Sequence, residues 1–219
     1  MARHVFEATG NPNLDKEINK LLLGGWYLQS IFSPWYSSIK IGAYTRTVEG
    51  VTEYALVNRG TKDWWMCGVD DILKYIGMSA DTMLSKDFAK QFVLVDYAGY
   101  EVTMVGHSKG GAEAMVNAIA TNTNCITFNT LAMSMDFYCT PTEIRAYKES
   151  GAQVTHYVVG GDPLNRIFGK PSVGETILLN SPYSMTLWGS MIGYVFIDSH
   201  PLTAVQAAIE KARRDGRLK

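Results

Sequence analysis

Cysteine is scarce in this chain. Cys67, Cys125 and Cys139 are the three present in 219 residues, and they form no C-x-x-C and no metal-type Cys/His spacing. Their odd number and loose spacing point to reduced thiols in a protein of cytosolic type. An excess of either charge is missing too. The formal net charge is −1, so nothing marks the chain for nucleic acid or an anionic membrane. The basic tail, residues 211–219, reads as a solvated helix end, where cations suit the helix C-terminus. No apolar run is long enough to span a bilayer; the longest near the start, Leu21 to Phe32, carries glycines and a Gln. The first residues are polar and lack an h-region, so no signal peptide and a cytoplasmic location are expected. Internal repeats, low-complexity linkers and a visible domain boundary are also lacking, and residues 1–219 read as a single domain with a sizeable core.

What is present alternates. Apolar spacing predicts a helix from about Leu14 within residues 12–33. Ile39 to Thr47 and Thr52 to Asn58 read as a β-hairpin around Val48-Glu49-Gly50. Helices are predicted from Asp63 to about Ile76 and from about Ser79 to Leu94, the latter with Met83, Leu84, Phe88 and Phe92 at helical spacing. Strand 101–106, helix 111–121, strand 124–129, helix 141–150 from Thr140-Pro141, strand 153–159, strand Ser172 to Leu179 and a final helix Ala204 to Arg214 complete the pattern. Strands alternating with helices imply an α/β fold, with a mostly parallel sheet and helices on both faces.

Gly106-His107-Ser108-Lys109-Gly110 carries the most chemical information. It is a G-x-S-x-G set between an apolar strand, Val102 to Val105, and a helical run from Ala112. A nucleophile elbow needs that context: a sharp turn holds the serine at its apex, and small flanking residues let strand and helix approach closely. A serine hydroxyl also needs a base. Of four histidines, His4 lies in a polar N-terminal segment. His107 adjoins the serine and cannot readily swing back onto it. His156 lies within a strand, as a face residue with a local hydrogen bond. His200, on the loop before the last helix, fits the chain order Ser…Asp…His. For the acid, Asp162 on the turn after strand 153–159 ranks first, because catalytic groups gather beyond the carboxyl ends of parallel strands. Asp198 and then Asp136 follow. The Lys109 N–H is one oxyanion donor, and Thr61, in Arg59-Gly60-Thr61 after a strand, is the candidate for the second.

Together, Arg59-Gly60-Thr61, Asp63-Trp64, Gly106 to Gly111 and Gly161-Asp162-Pro163 resemble the class 3 lipase group of α/β-hydrolases. The Gly-His-Ser-Lys-Gly-Gly form is most similar to its Mbeg1-like branch. The similarity covers roughly residues 40–210 and implies a single-domain α/β-hydrolase. It further implies Ser108 as nucleophile, Asp162 as acid, His200 as base, Thr61 and Lys109 as oxyanion donors, and hydrolysis of carboxylic esters, often of lipids. Three departures stand out. Asn58 takes a position usually aromatic, the segment between Asp162 and His200 is short, and Phe128-Asn129-Thr130-Leu131 replaces a Phe-Gly-x-Pro stretch.

The expected chemistry is ester cleavage through an acyl-enzyme, without metal or cofactor. The expected partner is a lipid or other ester, with transient contact to a lipid surface and no nucleic acid; the oligomeric state is not legible. The aromatic- and Met-rich segment 182–196 reads either as a buried support under the catalytic loop or as an acyl-binding wall or flap, with Trp188 and Met191 as candidate substrate contacts. The same machinery would serve a thioesterase, acyltransferase or amidase, and a non-catalytic binding protein is the remaining alternative.

Overall fold

Gly24 and Gly25 both adopt left-handed backbone (φ 68° and 76°), and a strand starts just beyond them. A computed structural model of the chain describes residues 1–11, 13–15, 19, 22, 24–60, 80–162, 164–165, 169–181 and 201–218. The predicted helix 63–76, Thr61, segment 182–196, Asp198 and His200 lie outside the described residues.

The described elements are helix α1 (His4–Glu7), strands β1 (Tyr27–Phe32), β2 (Ile41–Val48) and β3 (Val51–Asn58), helix α2 (Ala80–Gln91), β4 (Glu101–His107), α3 (Lys109–Thr121), β5 (Asn124–Phe128), α4 (Pro141–Glu149), β6 (Val154–Val159), β7 (Glu175–Leu179) and α5 (Leu202–Arg214). The strands form one seven-stranded sheet in the order β1 to β7. The first three pair antiparallel, and β3 through β7 pair parallel. β1 corrects the helix predicted within 12–33 over Tyr27–Phe32; residues 16–18, 20, 21 and 23 of that helix lie outside the described residues. The apolar spacing of β1 fits either period over so short a run, and the paired glycines interrupt a helix there.

Most other expectations hold. The hairpin turns at Glu49 and Gly50, both with positive φ, as a two-residue loop matched to strand twist requires. Helix α4 starts at a capping box: Thr140 Oγ1 accepts the Glu143 N–H (3.2 Å), and Glu143 Oε2 accepts the Thr140 N–H (2.8 Å). Helix α2 follows the prediction in extent, and Leu84, Phe88 and Phe92 pack on the core as their spacing implies, but Met83 does not. Met83 is 43% exposed, whereas Thr82, Ser85, Lys86 and Ala89 are buried.

Strand alternation divides the core. Leu56, Val102 and Met104 face one side with buried residues of α2, α3 and α4, among them Ala89, Met115, Ile119 and Tyr147. Ala55, Val57 and Val105 face the other, against Val5 of α1. On that second face Val159 and Leu179 pack on Val205, Ala208 and Ala212 of α5. Helices therefore cover both faces, with α3 buried along nearly its whole length behind the central strand β4.

Candidate active site

Ser108 sits between β4 and α3 with φ 58° and ψ −129°, a backbone region costly for any residue with a side chain. The main chain around it holds that conformation. The Ser108 N–H donates to the Phe128 carbonyl (3.1 Å), and the Ser108 carbonyl accepts the Gly111 N–H (3.0 Å). A Cβ added at Gly106 would lie 2.0 Å from the Gly110 carbonyl oxygen, and one at Gly110 would lie 2.5 Å from the Asn58 oxygen. Strand and helix thus meet at a separation only glycine permits, as the G-x-S-x-G reading required.

Sheet register brings a second loop to this point. Asn58 pairs with Gly106 in the parallel β3–β4 ladder, so the chain leaving β3 runs beside the turn. A Cβ at Gly60 would lie 2.6 Å from the His107 carbonyl oxygen and 3.4 Å from Ser108 Cβ. This is the loop that continues into Thr61.

Asp162 follows β6 and is buried. Its N–H donates to the Val159 carbonyl (3.0 Å), and its Oδ1 accepts both the N–H (3.1 Å) and the side-chain amide (3.2 Å) of Asn165. Asn165 also reaches the Thr130 carbonyl (3.4 Å). A recess of about 250 Å³ opens beside Asp162, lined by Val158, Gly160, Asn165 and Leu178 among others. The rival Asp136 is exposed, in the short turn Met135–Phe137.

Two histidines have structural surroundings. His156 Nε2 donates to the Val173 carbonyl (2.6 Å), which leaves Nδ1 to accept the Thr127 hydroxyl (2.6 Å), in keeping with the local hydrogen bond expected of a face residue. His4 is buried too, with its ring nitrogens 2.9 Å from Tyr44 Oη and 2.9 Å from Asn19 Oδ1. Burial lowers the pKa of both rings. It pushes the thiols of Cys125 and Cys139 up, leaving them poor nucleophiles.

Behind the turn lies a polar layer that sequence reasoning missed. Lys109 Nζ is 3.3 Å from Asp81 Oδ2 and 3.2 Å from Glu113 Oε1. Ser37 and Ser38 hydroxyls donate to the two Asp81 oxygens (2.6 and 2.5 Å). Asn58 Nδ2 reaches Ser85 Oγ (2.7 Å) and Glu113 Oε2 (3.3 Å), and Asn117 Nδ2 reaches Asn58 Oδ1 (3.2 Å) and Ser85 Oγ (2.9 Å). Burial raises the Glu113 carboxyl despite the pull of Lys109 and Asn58. Burial alone would lower Lys109, but Glu113 and Asp81 outweigh it and hold the ammonium charged. Burial likewise opposes ionisation of Asp81, and the Ser37 and Ser38 hydrogen bonds with the Lys109 charge overcome it. Asn58 alone gave a signal in the sequence, as a polar residue where an aromatic was expected.

Among the described residues, no group of three or more His, Cys, Asp or Glu side chains is placed to hold a metal ion, and no helix is long and apolar enough to cross a membrane. No protein-family model matches the sequence. Comparison with curated proteins finds no match either. Solved structures do resemble it. A fungal lipase superposes with a TM-score of 0.57 at 16% identity, over 94% of this chain and 90% of that one. Lipase II from Rhizopus niveus superposes with a TM-score of 0.49 at 15% identity, over 78% of this chain and 71% of that one. On the first of these likenesses, the mixed seven-stranded sheet with helices on both faces has the fold of a fungal lipase, an α/β-hydrolase.

Proposed function

We propose that this chain is a serine hydrolase of carboxylic esters, lipid esters foremost, working through an acyl-enzyme. One observation carries the reading: Ser108 is held at φ 58° on the apex of a strand–helix turn whose glycine flanks leave no room for a Cβ. Strained backbone of this kind is retained where geometry serves chemistry, and this turn presents a hydroxyl beyond the carboxyl end of β4.

In the proposed cycle His200 takes the Ser108 proton as the oxygen attacks the ester carbonyl. The N–H groups of Lys109 and Thr61 receive the developing oxyanion, an interaction worth roughly 3–4 kcal/mol of barrier per donor. Asp162 fixes the His200 tautomer and stabilises the imidazolium. His200 then protonates the leaving alcohol, and water resolves the acyl-enzyme. Support for the acid is its burial after β6, with one carboxylate oxygen already oriented by Asn165. Support for the second donor is the contact of Gly60 with the turn. Trp188 and Met191 are proposed acyl contacts on the strength of the sequence.

A lipid substrate fits the exposed aromatics of the β1–β2 loop. Trp35 is 94% and Tyr36 64% exposed, in a loop whose next two residues bond Asp81 and so lie beside the Lys109 side chain. The fungal lipase likeness points the same way.

The test is labelling with a fluorophosphonate probe, read by intact mass, on wild type, Ser108→Ala and His200→Ala. A single adduct on wild type, lost in both variants, is the expected result. A folded wild type that takes no label would remove the reading. Ester and thioester panels of graded chain length then separate lipase, esterase and thioesterase.

A further inference from the structure

Lys109 enters the proposed chemistry through its backbone N–H alone, which any residue but proline supplies. Its side chain nevertheless turns inward and is only 13% exposed. Burying an ammonium is unfavourable unless the surroundings compensate. Here compensation comes from two elements: Glu113, one turn along the same helix, and Asp81, in the first turn of α2. Asp81 is held in turn by Ser37 and Ser38 of the β1–β2 loop, and Lys109 Nζ lies 3.4 Å from Ser38 Oγ. Glu113 is tied to β3 through Asn58. One ammonium therefore joins the first turn of α3 to α2, to the β1–β2 loop and, through Glu113, to the end of β3.

That position is sensitive. The peptide between Ser108 and Lys109 links a residue of positive φ to the first helical residue, and its N–H is the proposed oxyanion donor. A small rotation of this peptide would swing the donor away from the oxygen it must meet. Donors stabilise a transition state only when already aimed at where the charge develops.

We propose that the Lys109 side chain is a positioning residue: clamped between Asp81 and Glu113, it fixes the direction of its own N–H toward the oxyanion. The inference rests on the esterase reading. The choice of lysine follows from it, because the side chain must both reach Asp81 on a neighbouring helix and answer the buried Glu113.

The test measures kcat and KM on a short-chain nitrophenyl ester, with fluorophosphonate labelling rates and thermal melts, for wild type, Lys109→Met, Lys109→Arg and Asp81→Asn. Lys109→Met should lower kcat and the labelling rate by about 10- to 100-fold, the scale of a small misplacement at a reacting centre, while KM stays near wild type. Lys109→Arg keeps the charge and should recover most of the loss. Should Lys109→Met fail to fold, Asp81→Asn carries the test from the neighbouring helix and should lower kcat at unchanged KM. Wild-type kcat in a folded Lys109→Met, a loss confined to KM, or an arginine variant no better than methionine would each overturn the proposal while leaving the esterase reading intact. A wild type that neither labels nor turns over would remove both.

Discussion

Asn129 Oδ1 accepts the main-chain N–H of Val159 at 2.9 Å, so one buried side chain at the end of β5 sets the end of β6. Asn129 itself has φ 40°, a conformation asparagine tolerates better than most residues. It stands where the class 3 pattern expects the glycine of Phe-Gly-x-Pro, and it fixes the backbone from which Asp162 follows.

Replacing Asn129 therefore tests how Asp162 is held. Asn129→Ala leaves the Val159 N–H buried without this acceptor and should cost about 1–3 kcal/mol in urea denaturation, with reduced ester turnover. Asn129→Gly relieves the backbone but not the orphaned donor. It should remain destabilised, and full stability in that variant would show that strain, not the hydrogen bond, governs the position.

The turn at Ser108 should tolerate no widening. Gly106→Ala forces a Cβ to 2.0 Å from the Gly110 oxygen and should cost about 3 kcal/mol or more, measured as a thermal shift. Gly99→Ala is the contrast: φ is +88°, but nothing lies within 4 Å, so backbone strain of about 1–2 kcal/mol is all that applies. Equal losses in the two variants would contradict close approach as the reason for Gly106.

Glu143 gives a pH signature. Burial alone would raise its carboxyl, but hydrogen bonds from Lys90 (2.6 Å), Lys86 (2.9 Å) and the Thr140 N–H outweigh it and bring the pKa from an ordinary 4.5 to about 2. A folded-state value below the unfolded one means the stabilisation is complete above pH 4.5 and lost as pH falls toward 2. The stability difference between wild type and Glu143→Gln should be largest near neutral pH and vanish near pH 2. A difference that stays constant from neutral pH into acid would mean that the pairing with α2 contributes nothing.

His156 should prove structural. With both ring nitrogens engaged by Thr127 and Val173, His156→Asn should lower the melting temperature yet label with fluorophosphonate at the wild-type rate. Lost labelling in a folded His156→Asn, with labelling retained in His200→Ala, would reverse the assignment of the base.

Trp35 and Tyr36 offer a test of the lipid preference. Replacing both by serine should leave turnover of a dissolved short ester unchanged and slow hydrolysis of emulsified triglyceride. Unchanged emulsion activity would separate these aromatics from substrate access.

Local, backbone-level features were legible in the sequence. The hairpin turn at Glu49-Gly50, the helix start at Thr140-Pro141 and the glycine-flanked serine each rest on residues whose conformational needs act over a few positions. Two things were not. β1 carries only six residues, too few for periodicity to separate strand from helix, and its assignment comes from pairing with β2, a tertiary event. The polar layer behind the elbow has no sequence signal because Ser85 and Lys86 look like a solvent face until Asn58, Asn117 and Glu143 meet them. Asp81 and Glu113 give no sequence signal for the same reason: ionisable residues on helices are usually solvated, and the fold is what brings these two around one ammonium.

The strand order has a consequence for biosynthesis. Because position in the sheet follows position in the chain, each strand can add to the edge its predecessor left, and none must insert between earlier ones. During vectorial synthesis the Ser108 turn gains its partners from the Phe128 carbonyl and the Leu131 N–H once β5 and the residues just after it have emerged, while Asp162 is still to come. A nascent chain halted soon after β5 would hold the shaped turn without the acid and base proposed for it, and on that proposal ester cleavage would have to wait until residues through His200 had left the ribosome.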